Sequence, residues 1–272
     1  MTKPFAFHQG DSPLLISVPH GGRELPPDIH ERMTATGRSI PDTDWQVNRL
    51  YEFAQSTGAS MLLANYSRYV IDLNRSSADA ALYANQVSSG LIPTQSFSGE
   101  DLYQLGISID QAEKLRRTSS YWQPYHDRME ACLADLREQH GYALLWDAHS
   151  IRGEVPTLFA GALPDLNIGT NDGLSCLPEI EDALMRVASG SRYSAVLNGR
   201  FKGGFITRHY GAPTQGVFAI QLELAQRCYM DEHTLQYDAA AARNLAVVIE
   251  QLLQAYLSIA AKMFSSASGH CH

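Results

Sequence analysis

No cysteine in this chain has a second cysteine at metal-binding spacing. The four present (Cys132, Cys176, Cys228 and Cys271) are scattered, with no Cys-x-x-Cys pair. That argues against a thiolate zinc knuckle or a disulfide framework and suits a reducing compartment. A basic excess is also missing. Twenty-one Lys and Arg against 29 Asp and Glu leave a formal charge of −8, and no run of Lys or Arg offers the electrostatic footprint of a nucleic-acid binder. The apolar stretches break well before the ~18 residues a membrane helix needs, and residues 1–10 lack the apolar core of a secretory signal. The expectation is a cytoplasmic protein with neither a membrane nor a nucleic acid as partner. Several short catalytic signatures are absent too. There is no His-Glu-x-x-His, which would have been a strong local metal signal, and no Gly-x-Ser-x-Gly elbow, Walker loop or Gly-x-Gly-x-x-Gly after a strand, so the serine-hydrolase, P-loop and dinucleotide readings lose support.

What is present suffices for one sizeable core: 272 residues, 44% hydrophobic and 18% charged. No linker or repeat divides the chain, so it is expected to form a single domain over 1–272, with 265–272 as a flexible tail. Short apolar runs at 14–18, 61–64, 69–71, 142–146 and 217–224 read as strands. Ser108 to Gln111 has the spacing of a capping box and opens a helical stretch ending at Gly141, which Pro124 should kink or divide. A last helix over about 234–262 carries Leu245, Val248, Ile249, Leu252, Leu253 and Leu257 on one face. Strands alternating with helices predict an α/β fold of three layers: a mixed, mostly parallel sheet flanked by helices. In such sheets ligands gather at the carboxyl ends of the strands. The stretch 83–106 has little periodicity and reads either as a lid or as a surface excursion.

Polar residues cluster at those strand ends. His20 follows the first apolar run and precedes Gly21 and Gly22, where the backbone can turn sharply beside a ligand; a turn histidine bonded to backbone is the alternative. Asp42 and Asp44 would share one side of an extended segment, with Asp42 read as a turn or capping residue. Asp147 and His149 would share one face of a strand, the carboxylate fixing the imidazole tautomer. Glu223 sits in an otherwise mostly apolar strand, where burial should raise its pKa towards that of a general base unless an arginine pairs with it. His20, Asp44 and His149 together make a plausible zinc set of two histidines and one carboxylate, with a coordination position left for water. Arg68 and Arg75 flank one segment, and Arg200, Lys202 and Arg208 lie in a glycine-rich one. Guanidinium groups suit bidentate carboxylate recognition, so a small dianionic substrate would explain why an acidic chain gathers them.

The ordered set Ser17-Val18-Pro19-His20-Gly21-Gly22, Asp42-Thr43-Asp44, Ser67 to Arg75, Trp146-Asp147-Ala148-His149-Ser150, Asn198-Gly199-Arg200 with Gly203-Gly204, and Gln221-Leu222-Glu223 resembles the N-formylglutamate amidohydrolase family. The resemblance runs over about residues 10–260. It implies a phosphorylase/hydrolase-like fold related to zinc carboxypeptidases and aspartoacylase. It also implies hydrolysis of N-formyl-L-glutamate to formate and L-glutamate, the last step of histidine degradation, with zinc (or cobalt or manganese) as cofactor. Those relatives take a His and a Glu three residues apart as first ligands, whereas position 23 here is Arg, so His20, Asp44 and His149 remain the expected metal set, with Glu24 as the substitute carboxylate. Glu223 and Arg75 would be catalytic, and Arg68, Asn74, Arg75, Arg200 and Arg208 would bind an N-acyl amino-acid substrate. A deacylase acting on another N-acyl amino acid or a peptide, and a non-catalytic binder of acidic amino acids, are the rival readings.

Overall fold

The structure, a computed structural model, describes residues 2–79 and 90–268. Seven strands form one sheet: β1 (Phe5–His8), β2 (Leu14–Val18), β3 (Ser60–Ala64), β4 (Ala143–Ile151), β5 (Leu166–Gly169), β6 (Ala195–Leu197) and β7 (Val217–Ala225). Their spatial order is β1-β3-β2-β4-β7-β5-β6. The central strands β3, β2, β4 and β7 run parallel. The edges turn round: β1 is antiparallel to β3, and β5 to β7, while β6 runs parallel to β5. Among the described residues the helices are α1 (Pro27–His30), α2 (Ala35–Ser39), α3 (Val47–Leu50), α4 (Gln111–Arg117), α5 (Gln123–His140), α6 (Pro178–Gly190), α7 (Phe205–Tyr210) and α8 (Ala239–Ser268).

The period of two in the central strands explains the layering. Leu14, Ile16 and Val18 of β2, Leu144 and Trp146 of β4, and Phe218, Ile220 and Leu222 of β7 point to one face, against α3, α6 and α8. Leu15 of β2, Leu62 of β3, Ala143 and Leu145 of β4, and Val217 and Ala219 of β7 point to the other, against α5 and Ile206 of α7. With both faces covered, β2, β4 and β7 are buried along their whole length, as parallel strands between helical layers should be. By length and composition α8 is apolar enough to cross a membrane, with an 18-residue window of mean hydropathy 1.3 within residues 239–265. Here its stripe of Leu245, Ile249, Leu252, Leu253 and Tyr256 is fully buried against the sheet and α6, so it serves as a core helix.

Four sequence expectations are corrected. Residues 69–71 are not a strand but part of a turn-rich segment, 67–75. There Ser67 Oγ accepts from Tyr69 N and Asp72 Oδ1 accepts from Asn74 N, side-chain oxygens replacing a strand ladder. The cap of α4 is Asp110 rather than Ser108, its carboxylate accepting from Glu113 N. Between α4 and α5 one π-helical turn, 118–122, absorbs the disturbance expected of Pro124, which sits in the first turn of α5. The last helix starts later than expected, because Asp238 accepts from Ala240 N and Ala241 N and so caps it. It also runs on through Ser268, into the span read as tail; residues 269–272 lie outside the described residues. Of the stretch 83–106, residues 83–89 lie outside them as well, and 90–106 form loops joined by isolated bridges.

The chain visits β3 on one side of β2 and later β4 on the other. Connections that leave neighbouring strands in opposite directions open a crevice at their carboxyl ends. The polar residues singled out above converge on that crevice.

Candidate metal centre and active site

His20 follows β2, Asp44 precedes α3, and His149 lies near the end of β4. All three are buried, and one ligand atom from each falls within 4.8 Å of the others. The imidazole rings of His20 and His149 stand 4.8 Å apart between centroids. His149 Nδ1 lies 3.0 Å from Asp44 Oδ2, and His20 Nδ1 lies 4.0 Å from Asp44 Oδ1. Atoms held tetrahedrally at zinc bond lengths would be ~3.4 Å apart, so the spacing fits a divalent cation.

The outer nitrogens strengthen the fit. His20 Nε2 is 2.7 Å from Asp72 Oδ1, and His149 Nε2 is 3.1 Å from Asp147 Oδ2. Asp72 accepting the Nε2 proton of His20 leaves that Nδ1 lone pair turned inwards, the tautomer a metal ligand needs, while His149 Nε2 is shared between Asp147 and Asn74 Nδ2, 2.9 Å away. The two carboxylates are themselves fixed. Arg68 Nη2 donates to Asp72 Oδ2 at 2.6 Å and Asn74 N to Asp72 Oδ1 at 2.9 Å. Ser17 Oγ and Asn74 Nδ2 donate to Asp147, and Ser150 N donates to Asp44 Oδ2.

Burial works to raise the Asp72 carboxyl, but Arg68, His20 and Arg75 outweigh it and hold it well below the ordinary range. Burial likewise opposes the charged form of His149, yet Asp147 and Asp44 raise its pKa well above the ordinary value. His20 moves the other way, lowered by burial and by Arg68. Asp44 is lowered: burial opposes, but the His149 hydrogen bond and the His20 charge prevail. Asp44 and Asp72 are thus held in the charged form beside the two imidazoles, a setting that favours a bound cation.

Glu223 pairs in register with His149 across β4 and β7 and faces the same cavity. Gln221 Nε2 donates to its Oε2 at 3.3 Å. Burial, opposed by His149 and reinforced by Asp44, pushes its pKa up to about 8. Among the described residues no arginine forms an ion pair with it, so the ion-pair reading of this residue fails. The cavity encloses about 90 Å³ and is also lined by Arg68, Asn74, Arg75, Phe97, Arg200 and Gly204. Its floor depends on two glycines. Gly203 adopts φ +113°, and a Cβ on Gly204 would stand 2.3 Å from Asn74 Nδ2.

The structure separates the proposed cations. Arg68, Arg75 and Arg200 line the cavity, whereas Arg208 does not; its Nε donates to Gly203 O and supports the glycine loop. Arg68 Nε is buried and meets no acceptor among the described residues. Asn74 lines the cavity, but Oδ1 accepts from Ile206 N and Nδ2 donates to Asp147, so it acts mainly as a brace. Glu24 is exposed and bridges the backbone of Asn65 and Tyr66, away from the histidines. Residues 42–44 lie in a turn, so their carboxylates diverge: Asp42 caps nothing and accepts from Tyr69 Oη and Phe97 N. Sequence reasoning assigned no role to Asp72, Gln221, Ser150 or Phe97. Asp72 was legible in principle, as a carboxylate four residues after Arg68 within the segment already singled out. Phe97 carried no signal.

Residues 12–230 match the family model described as N-formylglutamate amidohydrolase. An N-formylglutamate deformylase of Pseudomonas putida is 49% identical over 266 residues, 97% of this chain and 99% of its own length. One of Pseudomonas aeruginosa is 49% identical over 260 residues, 95% and 97% of the two lengths. The crystal structure of an N-formylglutamate amidohydrolase from Ralstonia eutropha JMP134 shares the fold, with a TM-score of 0.79 at 23% identity, covering 93% of this chain and 98% of that one.

Proposed function

The chain belongs to the N-formylglutamate amidohydrolase family, and on that premise we propose that it hydrolyses N-formyl-L-glutamate to formate and L-glutamate with a divalent metal, zinc by preference, held by His20, Asp44 and His149. The observation that carries the metal reading is the pair of inward Nδ1 atoms, each on an imidazole whose Nε2 is braced by a buried carboxylate. Two nitrogens and one oxygen suit zinc and leave a coordination position open; cobalt and manganese remain alternatives by donor type. A cation bound there supplies Lewis acidity, bringing the pKa of water towards about 7.

The chain's own residues do the rest. Glu223 takes a proton from the attacking water as its oxygen bonds to the formyl carbon. It returns that proton to the amide nitrogen as the C–N bond breaks, which yields formate and the free amine. Arg75 and Arg200 receive the two carboxylates of the glutamate portion, and the unpartnered Arg68 Nε donates to the substrate from the metal side. Neighbouring groups hold Arg75 in place, its carbonyl accepting from Trp122 Nε1 at 2.9 Å and its Nη1 donating to Asn74 O. Gln221 Oε1 accepts from Gly204 N at 2.7 Å, tying the glycine loop to the strand that bears Glu223.

A place at the end of histidine breakdown and a cytoplasmic location belong to the same reading, the latter supported by the free buried thiols Cys132, Cys176 and Cys228. The test is formate release from N-formyl-L-glutamate by the purified protein before and after chelation. Turnover lost on chelation and restored by zinc supports the reading. Ligand binding without any formate release overturns it in favour of a binding protein.

A further inference from the structure

Two cavities meet beside the metal centre. The inner one, about 90 Å³, is the active-site cavity; the adjoining one, about 350 Å³, is lined by Asp42, Thr43, Arg152, Glu154, Val155 and Gln226 among others. Among the described residues only Phe97, Ser150 and Ile151 line both. Ser150 and Ile151 belong to β4, whereas Phe97 reaches the boundary from a separate loop.

That loop is fixed at Phe97. Its N–H donates to Asp42 Oδ2 at 2.8 Å, its carbonyl accepts from Thr157 Oγ1, and the Arg68 guanidinium carbon lies 4.9 Å from the ring centroid. The side chain packs on the apolar cluster of Ile151, Val155 and Leu163. An aromatic ring anchored at both backbone groups and capped by a cation is a rigid partition.

Charge decides which part of the substrate faces it. Arg68, Arg75 and Arg200 line the inner cavity alone, while the adjoining cavity sets Asp42 and Glu154 against Arg152, a poor environment for a dianion. With the glutamate portion among the inner arginines and the acyl carbon at His20, Asp44 and His149, the remaining acyl substituent points towards Phe97 and Ile151. We propose that Phe97 sets the acyl-size limit of this enzyme. Its ring closes the inner cavity against the larger one, so a formyl group fits and a longer acyl chain is rejected. This rests on the deformylase reading given above. A butyryl group carries three carbons more than a formyl group and needs space beyond the inner cavity. The adjoining cavity offers that space once the ring is removed.

The experiment measures kcat/KM for N-formyl-, N-acetyl- and N-butyryl-L-glutamate in the wild type, Phe97→Ala and Phe97→Leu, with melting temperatures as a control. The butyryl-to-formyl ratio should rise at least tenfold in Phe97→Ala and by less in Phe97→Leu. A ratio unchanged within threefold in both active variants overturns the proposal, and so does a wild type that accepts butyryl as well as formyl. Should Phe97→Ala lose turnover altogether, calorimetric binding of N-butyryl-L-glutamate replaces it: tighter binding than to the wild type supports the partition, and none overturns it. Failure of the underlying reading shows differently, as a metal-loaded wild type that releases no formate.

Discussion

Replacing Glu223 by Gln isolates proton transfer from every other function of the site. The side chains are nearly isosteric, and Glu223 is not among the residues whose ligand atoms converge as a metal set. The only hydrogen bond to its carboxylate from a described side chain comes from Gln221 Nε2, at 3.3 Å, and an amide oxygen can accept that bond as well. Glu223 is 7% exposed, and burial already opposes its charge, so folding should not suffer. What is lost is the ability to carry a proton between water and the leaving nitrogen. General acid–base catalysis contributes ~10²–10⁴-fold, equivalent to about 2.7–5.4 kcal/mol of barrier. The assay is formate release at saturating substrate, with bound metal quantified on the same sample. The expected result is kcat down by that factor, with metal content and melting temperature unchanged. A variant retaining kcat within threefold of the wild type removes Glu223 from the mechanism.

Asp147→Asn, which removes the charge that braces His149, should weaken metal affinity ~10–100-fold; competitive titration against a chromogenic chelator reads it, and unchanged affinity refutes the bracing role. Arg200→Ala should cost about 2–5 kcal/mol of binding if its contact with a substrate carboxylate is desolvated, appearing in KM with kcat nearly intact; a loss confined to kcat would contradict a purely binding role. Glu113 gives a stability prediction that is independent of the active site. Burial opposes its charge, but hydrogen bonds from Arg116, Arg117 and Arg32 hold its pKa down to about 2, so its contribution is complete above the ordinary value near 4.5 and disappears as pH falls towards 2. Glu113→Gln should therefore lose about 1.5–3 kcal/mol at neutral pH and approach wild-type stability under acid; a gap that stays constant between pH 7 and pH 3 would refute it.

The parts of this molecule readable beforehand were those written in local pattern. The buried runs of β2, β4 and β7 and the stripe of α8 are periodic, and His20, His149 and Glu223 stand at or near strand ends, where parallel topology gathers function. What stayed hidden depended on long-range partners. Residues 69–71 are apolar enough for a strand, but Ser67 and Asp72 bond the backbone locally, and β3 is paired by β1 and β2. Asp42 and Asp44 are two residues apart, yet a turn sends one to His149 and the other to Phe97. Arg208 sits in the same glycine-rich segment as Arg200 but is turned back onto Gly203 O. Phe97 acquires its position from Asp42 and Thr157, 55 and 60 residues away, a placement no short motif announces.

The proposed chemistry requires a metal at one place. The decisive measurement is an anomalous-difference map of the crystallised, as-isolated enzyme, recorded on both sides of the zinc absorption edge. A single edge-dependent peak about 2.0–2.2 Å from His20 Nδ1, His149 Nδ1 and an Asp44 carboxylate oxygen is the expected result. A peak at other residues, or none in crystals of enzyme that still releases formate, would contradict it.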